Sequence, residues 1–353
     1  MLDLARRVAG MARDGEQIEA YVARSLTTSV KVYDGEVESL TSAESFGVGI
    51  RVVIGKRQGF AHCGSLDERL MLETLQEARD NAGFGEPDEF NGVAEFDGVE
   101  PVQHDLWREE LVRFPTDKKV ALALDLERRV RSLDPRVRGV RNAIYGDSVG
   151  EGAVANSLGV AGYERGTLCS VSVSALAEDQ GETKIGAGLD ASRDPAGLDL
   201  DKVAHDAVER AVRMFGATKP ASQRLAIVLE PRLAAVILGI VGGMLSGERL
   251  LKGRTPFAGR EDELIASPLI SLVDDPTDPA SLGAGSYDGE GLACRRNVLI
   301  ENGVLRRFLH NSYTGRRSGA GSTGSAVRGS STPSVGCQAL AITPGSANFG
   351  DLV

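Results

Sequence analysis

Apolar and polar positions alternate with two different periods along the first 220 residues. Apolar residues recur at helical spacing over Leu2–Met11. The chain then changes to period-two runs, E-A-Y-V-A-R-S-L-T-T-S-V-K-V-Y and, after Asp34-Gly35, E-V-E-S-L. Asp-Gly between β-rich runs accepts the positive φ angles of a two-residue hairpin. A second hairpin is predicted where G-V-G-I-R-V-V-I meets Gly55-Lys56 and R-Q-G-F-A-H. A helix follows, with Ser65 and Glu68 as a capping box, Gly83 as its stop, and Met71, Leu75, Ala78 and Ala82 as its buried stripe.

The same order recurs. A helix over Asp117–Leu133 stops before Pro135 and is followed by strand-like runs (V-R-G-V-R-N-A-I-Y, G-V-A-G-Y-E-R-G, L-C-S-V-S-V-S-A-L-A and K-I-G-A-G-L). A helix over Leu200–Phe215 then ends at Gly216. The prediction is an α+β fold in which two helix–antiparallel meander–helix units form an N-terminal domain, residues 1–220. From Gln223 short apolar runs are punctuated by Gly, Ser, Pro and Asp, which predicts a mostly β C-terminal domain over residues 221–353. In it, β-rich runs flank Asn302-Gly303, a third hairpin signal, and lead into the Gly-, Ser- and Arg-rich Y-T-G-R-R-S-G-A-G-S-T-G. The final S-A-N-F-G-D-L-V resembles the opening of a helix that does not finish, so a truncated C-terminal domain is expected.

Composition narrows the function. With 50 acidic against 40 basic residues in 353, the formal charge is −10, which disfavours nucleic-acid and acidic-membrane partners. The four cysteines are far apart, with no C-x-x-C pair, which suits reduced thiols in a cytoplasm. The N-terminus has no uninterrupted apolar core of a signal peptide. The longest apolar run, Leu233–Leu245, is too short for the ~20 residues that span a bilayer.

No catalytic constellation stands out. G319-A-G321-S-T-G324 matches the dinucleotide pattern G-x-G-x-x-G, but Ser, Arg, Gly and Pro follow where a helix must begin. His205 and Glu209 are four apart on a helix, yet the apolar stripe Val203, Ala207, Val208, Ala211 and Val212 turns them to solvent. Asp274, Asp275 and Asp278 lack the ligand alternation of a calcium loop and suit turns. His62 and His310 are isolated. Tyr313 and the arginines Arg316, Arg317 and Arg328 could clamp a carboxylate or a peptide backbone, or be a solvated basic loop.

Two longer blocks carry a resemblance. V-Y-D-G-E-V-E-S with F-G-V-G-I-R-V-V-I-G-K-R-Q-G-F-A, and Y-D-G-E-G-L-A-C-R-R-N-V-L-I-E-N-G-V-L-R-R-F-L-H-N-S-Y-T-G-R-R with S-T-G, are similar to the two signatures of the TldD/PmbA family of metallopeptidase-related proteins. In the catalytic branch an H-E-x-x-x-H motif on the helix after the domain junction binds zinc. Here the matching run is V-I-L-G-I-V-G-G-M-L-S-G-E-R, with Leu238 and Gly239 at the His-Glu positions and Gly243 at the second His. No histidine lies between His205 and His310, so a slip of the alignment does not restore the motif.

The resemblance is therefore to the PmbA (TldE) branch. It implies a cytoplasmic, non-catalytic subunit with no catalytic or metal-binding residues and no cofactor of its own. The zinc is expected in a TldD-like partner, and an unfolded peptide is held as an extended strand between the two. Tyr313 and Arg316 are expected to line the peptide cavity, while Asp288 and Glu290 suit turn and hairpin roles. The alternatives are a non-proteolytic peptide-binding adaptor that forms a homodimer, or a hydrolase acting through Asp274, Asp275, Asp278, His205 or His310.

Overall fold

The computed structural model describes residues 1–348 and 350. The chain opens with α1 (Leu2–Ala9), β1 (Glu16–Tyr33), β2 (Glu36–Ile54), β3 (Arg57–Cys63) and α2 (Glu68–Phe84). After an extended segment and the short α3 (Glu109–Val112) come α4 (Thr116–Leu133), β4 (Val137–Asn156), β5 (Ala161–Asp179), β6 (Glu182–Ser192) and α5 (Leu200–Val212). The six strands form one antiparallel sheet of order β3-β2-β1-β4-β5-β6. The two helix–meander–helix units thus meet along β1 and β4, and the strand order is a mirror of itself about that seam.

The turns form where the dipeptides place them. Asp34 and Gly35, Gly55 and Lys56, and Asn302 and Gly303 all have positive φ. A further such turn, Gln180-Gly181, joins β5 to β6. The helices cover one face of the sheet. Ile18, Ala20 and Val22 of β1 pack with Val48, Ile50 and Val52 of β2 beneath α1 and α2, in a cluster that includes Ala5, Val8, Met71 and Leu75. Val30, Val32, Tyr145, Val171 and Val173 pack beneath α4 and α5.

The two units repeat one packing detail. On edge strand β3, a Cβ on Gly59 would lie 2.1 Å from the Ala78 carbonyl oxygen and 2.3 Å from the Ala82 nitrogen. On the opposite edge, β6, a Cβ on Gly186 would lie 2.1 Å from the Ala207 oxygen and 2.4 Å from the Ala211 nitrogen. In each unit a strand glycine lets an alanine pair four residues apart bring the helix backbone onto the sheet.

Both ends of α2 differ from expectation, and α5 stops at Val212, short of Phe215. The cap of α2 is Asp67, which accepts from the Arg69 and Leu70 amides, and the helix runs through Gly83 to Phe84. Ser65 instead accepts from the Asp67 amide, and the aspartate, one residue before the helix, outcompetes it for the free amides.

Beyond α5 the chain runs through α6 (Pro231–Met244), α7 (Gly247–Leu251), β7 (Leu272–Asp274), β8 (Asn297–Glu301), β9 (Val304–Leu305), α8 (Ser312–Ser318), β10 (Ala326–Val327), β11 (Ser334–Val335) and β12 (Leu340–Ile342). Short strands in the order β12-β7-β8-β9 make a small sheet over a core of Leu245, Leu272, Leu299, Ile300, Leu305, Phe308 and Leu309. The helix α8 falls where the sequence suggests a loop. Its signal is Asn311, whose side chain accepts from the Thr314 amide while Thr314 returns a bond to the Asn311 amide. Half of the anticipated helix opening at S-A-N-F-G-D-L-V, residues 349 and 351–353, lies outside the described residues.

Residues 223–230 join no sheet among the described residues, although Leu225, Ile227 and Leu229 are exposed. Leu233, Val236 and Ile240 on α6 continue this exposed apolar strip. No described helix is long and apolar enough to cross a membrane.

Candidate functional site

The face of the sheet turned away from the helices meets the segment 285–335, and charged residues from four places in the chain converge there. Glu19 on β1 and Arg51 on β2 are direct cross-strand partners. Arg51 Nη2 donates to Glu19 Oε2 at 2.7 Å and to Glu290 Oε1 at 3.3 Å. Arg328 pairs with the other Glu19 oxygen, donates to the Gly289 carbonyl at 2.8 Å and sits over the Tyr21 ring at 5.2 Å. The second Glu290 oxygen accepts from the Ser312 amide at 2.8 Å. All four side chains are buried, with exposures of 4% or less. Burial would raise the Glu19 carboxyl, but Arg328 and Arg51 outweigh it and hold it below its usual range.

Asp288 builds the turn beneath this cluster. Its Oδ1 accepts from the Glu290 and Leu292 amides and its Oδ2 from the Ala326 amide. Burial, with the Glu290 carboxylate adding to it, pushes Asp288 up to about 7 against those three amides. A carboxyl whose folded pKa lies above its unfolded value binds more protons when folded, so it stabilises below about pH 4 and loses that contribution as pH rises through about 7. The unfolding midpoint in urea is expected to fall between pH 5 and pH 8. Asp288→Asn should flatten that dependence, even though its amide group loses the Ala326 bond. A slope unchanged by the substitution would assign the dependence to another group.

A cavity of about 610 Å³ opens beside the cluster, with Arg51 and Gln58 of the sheet, Lys252 after α7, and Tyr313 and Arg317 of α8 among its lining residues. Tyr313 donates to Asp88 at 2.8 Å and Arg317 donates to the Tyr313 oxygen at 2.7 Å. Across the loop 329–333 lies a second cavity of about 400 Å³ lined by Tyr21, Phe46, Phe60 and His62. Ser331 lines both.

Three models of one family match the chain. The PmbA/TldA metallopeptidase domain 1 covers residues 18–82, the central domain 109–215 and the C-terminal domain 222–353. The chain belongs to the TldD/PmbA family. Among its relatives, a metalloprotease TldD homolog of Haemophilus influenzae is 26% identical over 90% of this chain and 67% of its own. The metalloprotease PmbA of Escherichia coli is 24% identical over 88% and 70%. The crystal structure of TldE from Thermococcus kodakarensis superposes with a TM-score of 0.85 at 25% identity, covering 99% of this chain and 78% of that one.

In this TldD/PmbA chain the two residues singled out in sequence have different surroundings. Tyr313 lines the larger cavity. Arg316 does not. Its guanidinium donates to the carbonyls of Phe90 (2.8 Å), Gly92 (2.7 Å) and Val93 (3.2 Å), so it latches the 88–93 segment onto α8. The hydrolase candidates are dispersed. Asp274 is buried and accepts from the Gln338 and Ala339 amides. Asp275 accepts from Thr277, and Asp278 from the Ala280 amide. His205 and Glu209 are exposed on α5. His310 is buried against Thr314, and burial lowers its pKa. Gly319, Gly321 and Gly324 all have positive φ, and the chain continues from them directly into β10 and not into a helix.

The ion cluster corresponds to no motif in the sequence. Its signal lies in Q-I-E-A-Y-V and G-I-R-V-V, where a charge interrupts an otherwise apolar strand. A charge in a strand interior needs a partner across the sheet.

Proposed function

We propose that this chain is a non-catalytic, PmbA/TldE-like subunit of a cytoplasmic TldD-type zinc metallopeptidase complex that acts in proteolysis or maturation of unfolded peptides. In this reading both parts of the chain line the peptide cavities, with Arg51, Tyr21 and Phe46 from residues 1–220 and Lys252, Tyr313 and Arg317 from residues 221–353, and the latter part carries the surface for a TldD-like partner. The observation that carries it is α6. At the positions aligned with the family's zinc motif it has Leu238, Gly239 and Gly243, whose side chains offer no donor atom. Gly239 and Gly243 face open space, and Leu238 packs towards the C-terminal core. The residues present do not fit a zinc ion. Among the described residues no group of three or more His, Cys, Asp or Glu side chains could hold a metal.

What this chain's residues can do is bind. The two cavities present guanidinium, amide and phenol groups on one side of a loop and aromatic rings on the other, which suits a polypeptide held without being cut. The exposed apolar strip from Leu225 to Ile240 supports an assembly in which that surface is covered. Mass measurement in solution tests the reading. The chain mixed with a TldD-like subunit is expected to elute as a heterodimer. A homodimer that ignores this partner and still binds peptide would favour an adaptor.

A further inference from the structure

We propose that the larger cavity takes the C-terminal carboxylate of a peptide, with Arg51 as its buried anchor and Arg317 and Lys252 as cations at its rim. The proposal rests on the reading that this chain holds peptides, and it names which end of the peptide is held.

Arg51 is unusual among the buried charges. Its Nη2 serves Glu19 and Glu290, but its Nε is buried with no hydrogen-bond partner and its Nη1 reaches only Gln58, at 3.5 Å. A guanidinium has five N–H donors in a planar fork, and a buried donor left unpaired is costly. Arg51 forms part of the cavity wall, so a ligand there meets a fixed, desolvated cation whose Nη1 is held only by a long bond to Gln58. A carboxylate is planar and matches that fork.

The charge balance selects one negative charge over several. Arg51 is shared by two glutamates, Arg317 by Asp88, and Lys252 by Glu248. Each cation is already partly compensated, so a multiply charged phosphate would meet those carboxylates as well, whereas a single carboxylate needs only the remaining donors. Ser331 joins this cavity to the aromatic one, so a peptide whose terminal carboxylate lies at Arg51 can direct an apolar side chain towards Phe46 and Phe60.

The test uses the full chain and one unstructured, N-terminally labelled decapeptide made as the free acid and as the C-terminal amide, with binding read by fluorescence anisotropy. The amide is expected to bind about tenfold more weakly than the acid. The double variant Arg317→Ala/Lys252→Ala removes the two rim cations together with their exposed pairings to Tyr313, Asp88 and Glu248. It should keep the parent's unfolding midpoint within a few degrees and weaken the acid severalfold, and by more than the amide. Arg51→Lys keeps a charge but not the fork and should narrow the acid–amide difference. Equal affinity for acid and amide, insensitive to the rim, would overturn carboxylate recognition and leave peptide holding intact. Binding of neither peptide would overturn both.

Discussion

Glu19→Leu is expected to lower the unfolding free energy by about 3–5 kcal/mol, the cost of removing one partner from a buried ion pair. Glu19 is fully buried and is the only carboxylate shared by Arg51 and Arg328 within the cluster. Leucine fills similar space but leaves Arg51 with Glu290 at 3.3 Å, and leaves Arg328 with the Gly289 carbonyl and the Tyr21 ring. The uncompensated charge, more than any lost packing, carries the penalty. The cluster also joins β1 and β2 to the C-terminal segments at 290 and 328, so the loss should separate the unfolding of the two parts. Adding Arg328→Leu to Glu19→Leu should restore part of the stability, and the double-mutant cycle measures the coupling. A loss below about 1 kcal/mol from the single substitution would mean that the cluster is solvated like an ordinary surface pair.

Arg316→Ala is expected to cost about 2–4 kcal/mol, from three charge-assisted bonds to carbonyls on a half-buried group. Those carbonyls belong to Phe90, Gly92 and Val93, in a segment with no helix or strand of its own. Without the latch, amides in the 88–93 segment should exchange hydrogen faster while those of β1 and β4 keep their protection. Arg316→Lys should recover only a fraction, since a single ammonium cannot reach three carbonyls in the arginine's fork geometry. If Arg316→Ala left stability and exchange unchanged but reduced peptide affinity, Arg316 would be a ligand-facing residue after all.

The two substitutions mark where the sequence was legible and where it was not. Period-two runs around Asp34-Gly35 and Gly55-Lys56 were readable because the hairpin signal is local: two residues must adopt positive φ, and those pairs do so readily. The repeated helix–meander–helix order was readable for the same reason. What escaped is non-local. Glu19, Arg51, Glu290 and Arg328 come together only when β1 and β2 pair and the C-terminal segment closes over them, and no spacing in the chain announces that. Arg316 lies among glycines, serines and a second arginine, so it reads as a solvated loop residue. Its partners are backbone carbonyls more than 220 residues away, and carbonyls leave no mark in sequence. The short helix α8 was hidden by the same composition, although Asn311 and Thr314 stand at cap and third position.

Leu238, Gly239 and Gly243 on α6 offer no zinc ligand, so in the proposed reading zinc and cleavage come from a second chain. The most direct measurement is zinc content and peptide cleavage of the purified chain, alone and after reconstitution with a TldD-like subunit. The purified chain is expected to hold well below one zinc and to cleave nothing alone, with cleavage appearing once the partner is added. Stoichiometric zinc together with peptide cleavage by the isolated chain would contradict it.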